Sequence, residues 1–161
     1  MNLNIHNINE SIQKRAVFFI SPERKLIIEY YSGYIYLSDI LKIKSNAGEH
    51  KDFSKDFNVL IDFRDAELKI NVNELLNLFQ FAKENPQLIG NRREAYLTSN
   101  PEQVVLGTLF EKYKQDLPIE SNIFSTLGAG ILWISALNNF TWIENTIEKL
   151  KSENGNSSDK K

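Results

Sequence analysis

Cysteine is absent from this chain of 161 residues, which excludes disulfides, thiolate nucleophiles, iron–sulfur ligation and every cysteine zinc site. Histidine is almost absent: His6 and His50 stand far apart, so no histidine pair has metal-ligand spacing. Long apolar runs are missing too. The most apolar stretch, Leu127 to Leu137, falls well short of the ~20 residues that span a bilayer. The first residues show neither a basic segment nor an apolar one of the secretory kind, so a cytoplasmic protein without an integral membrane segment is expected. Neither sign of charge dominates. Nineteen Lys and Arg face 21 Asp and Glu, a net charge of −2, which gives no electrostatic case for nucleic acid. Catalytic signatures are missing as well: there is no P-loop, no G-x-S-x-G elbow and no EF-hand loop. Gly128 and Gly130 make a G-x-G, but Trp133 occupies the third glycine position, so the pair reads as a helix packed closely on a sheet. No metal or cofactor is implied, and an enzyme is not expected.

What is present is an ordinary globular composition, 42% apolar and 25% charged. A chain this long buries about 68–70% of its unfolded surface, enough for one domain without staples. Val17-Phe18-Phe19-Ile20 and Lys25 to Ile35 read as strands joined by a Ser21–Arg24 turn with Pro22 second, hence an antiparallel hairpin. Ser38 is the expected cap of a helix carrying Ile40, Leu41, Ile43 and Ala47. Asn58 to Phe63 is a buried-type strand, whose Val59-Leu60-Ile61 run demands cover on both faces. Asn71, with Glu74 three residues on, caps a helix with Leu75, Leu78, Phe79 and Ala82 inward. Glu94 to Ser99 is a strand. Asn100-Pro101-Glu102-Gln103 starts a helix with Val105, Leu109 and Tyr113 on one face. Asn122 to Ser125 is a short strand, Thr126 caps an apolar helix, and Thr141 with Glu144 caps a last one. The β-α alternation predicts an α/β single domain with a mixed, mostly parallel five-stranded sheet, opened by the antiparallel hairpin and flanked by helices. Residues 1–14 are expected to be a flexible N-terminus, 15–150 the domain, and 151–161 a polar disordered tail that adds nothing to stability.

Two clusters remain. Asp62-Phe63-Arg64-Asp65-Ala66-Glu67 lies at the carboxyl end of the central strand, where ligands gather in open α/β sheets. It is either a partner or ligand site or, as ion pairs more often are, an internal Asp–Arg pair that fixes the loop. The second cluster is Tyr30, Tyr31, Tyr34 and Tyr36, four of six tyrosines. At period two, Tyr30, Tyr34 and Tyr36 share a face, suited to packing or to a partner surface.

Three segments together resemble the SpoIIAA-like family, of the broader STAS and SEC14-related type. They are Tyr31-Ser32-Gly33-Tyr34-Ile35 leading into Leu37-Ser38-Asp39; Asn58-Val59-Leu60-Ile61-Asp62-Phe63-Arg64-Asp65-Ala66; and Phe124-Ser125-Thr126-Leu127 leading to Trp133-Ile134. The resemblance covers roughly residues 15–135. It implies a small STAS-like α/β domain that binds partners or apolar ligands. In anti-sigma antagonists of this type, a serine at the start of the helix after the central strand is phosphorylated. The matching place here is near Asn71, and Leu68 to Asn73 contains no hydroxyl, so that switch is not carried over. The expectation is a non-catalytic interaction or regulatory module whose partner is a protein, a second copy of the chain included. Its working edge would comprise Asp62, Arg64, Asp65, Asn71, Asn73, Ser99 and Asn100. The alternative is a carrier or sensor of a small apolar molecule held between sheet and helices. A lined pocket would favour that alternative.

Overall fold

The computed structural model describes residues 16–155; the 1–14 segment lies outside them. Ala16–Ser21 (β1) and Leu26–Ile35 (β2) form the antiparallel hairpin, in register from Ala16 opposite Tyr31 to Ser21 opposite Leu26. The bonded turn is Pro22–Lys25, closed by the Lys25 amide on the Pro22 carbonyl at 3.2 Å. Pro22 is therefore first in the turn, one position earlier than expected, because Lys25 takes the left-handed conformation (φ 49°) that ends it. Asn58–Leu68 (β3), Arg92–Leu97 (β4) and Ile119–Phe124 (β5) follow in parallel, giving the order β1-β2-β3-β4-β5. The five-stranded mixed sheet is the expected one.

Helices cover both faces. Leu37–Gly48 (α1), Val72–Glu84 (α2) and Pro101–Tyr113 (α3) lie on one; Leu127–Trp133 (α4) and Phe140–Gly155 (α5) lie on the other. β3 is the interior strand. Leu60 packs toward Ile131, Ile143 and Ile147, while Val59 and Ile61 pack toward Ile40 and Ile43. Leu60 is 0% and Ile61 2% exposed, as a strand with helices on both sides must be. Between the Tyr30–Asp62 and Ser32–Asp65 pairings, β2 advances two residues and β3 three. That bulge in β3 reverses the alternation, so Ala66 joins Phe63 on the α1 side.

Local signals hold where the cap chemistry is unambiguous. Asn71 Oδ1 accepts from the Glu74 amide at 3.0 Å, and Glu74 Oε2 accepts from the Asn71 amide at 2.9 Å. Asn100 and Thr126 cap α3 and α4 through their side-chain oxygens. Ser38 does not cap α1; Tyr36 holds that position, its amide donating to Asp39. Thr141 caps nothing, since a 3-10 turn at Leu137–Asn139 runs directly into α5 at Phe140. A Cβ on Gly130 would stand 2.8 Å from Leu97 Cδ2, so this glycine does let α4 approach the sheet. Gly128 has only ordinary contact with Phe140.

On α3, Val105 and Tyr113 are 58% and 41% exposed, and the inner face is Gln103, Leu106, Gly107 and Phe110. One larger expectation is corrected. The tail boundary at Lys151 falls inside α5, which continues to Gly155. Lys151 pairs with Asp65 at 3.2 Å, and buried Asn154 donates to the Ser32 hydroxyl at 2.7 Å, so polar residues are held there by partners on the sheet. Residues 156–161 lie outside the described residues.

Asn71→Ala should cost about 0.5–2 kcal/mol in chemical denaturation, with Asn71→Ser nearly neutral. Deleting residues 151–161 should remove the bond from Asn154 to Ser32 and the ion pair of Lys151 with Asp65, with exposed contacts within α5 adding little, about 1–2 kcal/mol together. At about 2–4 °C per kcal/mol, calorimetry should register a drop of several degrees.

Candidate functional site

At the carboxyl edge of the sheet the structure joins part of the expected set. Asp62 is 0% exposed, and the Arg64 guanidinium grips it through Nε at 2.9 Å and Nη2 at 2.7 Å. Asp65 accepts from the Tyr30 hydroxyl at 2.9 Å as well as from Lys151. Burial pushes the Asp65 carboxyl upward, but the Tyr30 and Lys151 bonds outweigh it and hold it below its ordinary value. Ser99 donates to the Arg64 carbonyl at 2.8 Å. Asp62, Arg64 and Ser99 thus form one bonded group, and Asp65 belongs to a second one with Tyr30 and Lys151. Asn71 and Asn100 are engaged as helix caps, and Asn73 stands exposed on the first turn of α2. The Asp62–Arg64 pair is internal and fixes the loop, and α5 sits over its neighbour Asp65. Tyr30 packs with the α4–α5 core, Tyr31 with the α1 side, and Tyr34 and Tyr36 are exposed.

The opposite side of the sheet holds what the sequence did not announce. Between the sheet and α1–α3 runs a cavity of about 100 Å³. Along β4 it is lined by Arg92, Glu94, Tyr96 and Thr98, the alternate residues that face one way from a strand. Leu75, Leu78 and Ala82 of α2 and Leu106, Gly107 and Phe110 of α3 close it from above. Phe63, Tyr96 and Phe110 continue the aromatic lining, with ring centroids 6.5 Å and 5.7 Å apart in turn.

Two ion pairs sit on the floor of this otherwise apolar space. Arg92 and Glu94 are 2% and 3% exposed and meet at 2.6 Å. Arg92 also donates to the Lys55 and Leu88 carbonyls, and the Tyr96 hydroxyl donates to Glu94 at 2.6 Å. Lys44 reaches both oxygens of Glu29, at 2.7 and 2.9 Å, and Tyr31 donates to the same carboxylate. Burial alone would raise the Glu94 carboxyl, but the charges of Arg92 and Lys44 and the bonds from Tyr96 and Arg92 bring it down to about 2. Gln103 is a tether: its amide nitrogen donates to the Phe63 and Ala66 carbonyls and its oxygen accepts from the Ser99 amide. A signal for the floor existed in the chain. Arg92, Glu94 and Tyr96 recur at period two, and Glu29 interrupts an apolar strand between Ile28 and Tyr30.

No protein-family model matches the chain, and no curated protein does. Among solved structures it is similar to an uncharacterised protein of the DUF3478 family with a SpoIIAA-like fold, from Shewanella loihica PV-4. The identity is 10% and the TM-score 0.50, over 74% of this chain and 93% of that one. The fold is SpoIIAA-like. Among the described residues no helix is long and apolar enough to cross a membrane.

Arg92→Leu leaves Glu94 buried without its cation and should cost about 3–5 kcal/mol in urea unfolding. The folded pKa of Glu94 is below its unfolded value, so its contribution is complete above the ordinary 4.5 and disappears as pH falls from there toward about 2. Glu94→Gln should flatten the stability profile in that acid window, read by thermal melts at successive pH values.

Proposed function

We propose that the protein is a non-catalytic binding domain, a carrier or sensor that holds a small apolar ligand between the sheet and α1–α3. The cavity is the observation that carries this reading. Its lining is made of leucine, isoleucine, alanine and phenylalanine around a few fixed polar groups, the composition of small-molecule sites. Close-packed interiors leave few voids larger than a water molecule. A void of about 100 Å³ approaches the ~150 Å³ engineered apolar cavity that accepts benzene. The Asp62–Arg64 and Asp65–Lys151 pairs bind each other and hold the edge of the fold; in this reading they perform no chemistry.

A protein-interaction role at the carboxyl edge is the second reading. Val72 and Leu76 on α2, and Val104 and Val105 on α3, are 42–58% exposed near the starts of these two packed helices. Asn73 and Asn100 border them in sequence, as a polar rim borders an apolar contact.

Titration with n-hexane, followed through methyl NMR signals, tests the first reading. Resonances of Ile61, Leu75, Leu78 and Leu106 should shift with saturation. Those of Ile131, Ile143 and Ile147, behind the sheet, should stay in place. Absence of any saturable shift would sink the proposal.

A further inference from the structure

The cavity floor specifies what kind of ligand it accepts, given that the cavity is the binding site. Every charge on it is matched. Glu29 is neutralised by Lys44 and Glu94 by Arg92, so two carboxylates and two cations sum to zero. Most of the donors of these groups are also committed. Arg92 uses Nε and Nη2 on Glu94 and Nη1 on two carbonyls, and Tyr31 and Tyr96 give their protons to Glu29 and Glu94. Gln103 spends both ends of its amide on the backbone.

Thr98 is different. It lies just past the end of β4, lines the cavity and is 5% exposed, yet among the described residues nothing hydrogen-bonds its hydroxyl. Among the described residues its Oγ1 is not one of the enclosed polar atoms that lack a partner, so it borders reachable space and is completed by what enters that space, water or the head group of a ligand.

We propose that the ligand is an uncharged, slender apolar molecule with a single hydrogen-bonding group, placed against the Thr98 hydroxyl. An anionic ligand would have to be buried without a free cation, and a cationic one without a free carboxylate. Either leaves an uncompensated charge in an apolar enclosure. An aliphatic alcohol or a similar neutral polar-ended chain meets both conditions: its tail contacts Leu78, Leu106 and Phe110, and its head completes Thr98.

Calorimetric titration of the whole protein at neutral pH tests this with four probes of similar length: n-pentanol, n-hexane, pentanoate and pentylammonium. The expected order places n-pentanol first and both ions weaker by about tenfold or more, the scale set by an unpaired buried charge. In Thr98→Val, the advantage of n-pentanol over n-hexane should vanish while n-hexane binds as before. If pentanoate or pentylammonium binds within tenfold of n-pentanol, the neutrality inference is overturned, although the cavity reading stands. If Thr98→Val retains the full preference for the alcohol, the assignment of Thr98 falls. If none of the four binds, n-hexane included, the cavity reading itself is overturned and this inference with it.

Discussion

Glu29, Glu94 and Arg92 are buried on the α1–α3 face of the sheet, Lys44 reaches Glu29 from its rim, and each carboxylate there is matched by a cation. That matching positions much of the molecule. Lys44 must descend from α1 to Glu29, which fixes α1 over β2. Arg92 holds the Lys55 carbonyl before β3 and the Leu88 carbonyl after α2, so one guanidinium ties two connecting segments to β4. The same groups lift the helices. Where the floor of a layer is made of long polar heads bound sideways to each other, α2 and α3 cannot collapse onto it, and space remains beneath them.

The two layers are therefore unlike. On the α4–α5 side, Gly130 brings helix backbone down to Leu97 and Ala95, and the core is aliphatic and dense. On the α1–α3 side the contacts to the sheet are partly polar and the interior is open. One face supplies cohesion and the other supplies room. A binding reading belongs to the second face, because a site needs volume that the rest of the fold does not fill.

The mixed five-stranded sheet and the both-sided burial of β3 were legible in the chain, since a run such as Val59-Leu60-Ile61 has few alternatives. The Asn71–Glu74 box was legible because its chemistry is local. The cavity was not. The inward stripe of α3 is Gln103, Leu106, Gly107 and Phe110, a correct helical spacing whose first and third members are not hydrophobic. Val105, Leu109 and Tyr113 make a more apolar pattern on a different face, of which Val105 and Tyr113 are exposed. Glu94 and Arg92 were hidden for a related reason, since charge ordinarily marks a solvated position and only the partner reveals a buried one. The end of α5 was misplaced because Lys151 and Asn154 owe their order to Asp65 and Ser32, residues far away in sequence. The carboxyl-edge residues were found by position in the sheet, yet what they do there, pairing and capping, depends on geometry that no spacing contains.

The contact between Asn154 and Ser32 joins residues 122 apart in sequence, and it has a consequence for how the protein is made. Chains emerge from the ribosome amino end first, and domains form as their parts become available. The hairpin of β1 and β2 is among the first described elements out, and α5, which packs against both strands, is the last. Until α5 emerges, Leu26, Ile28 and Tyr30 therefore lack its cover on that side. Until then the nascent hairpin carries an uncovered oily face that α5 closes. Premature termination anywhere before α5 would leave that face for chaperones or other chains to find.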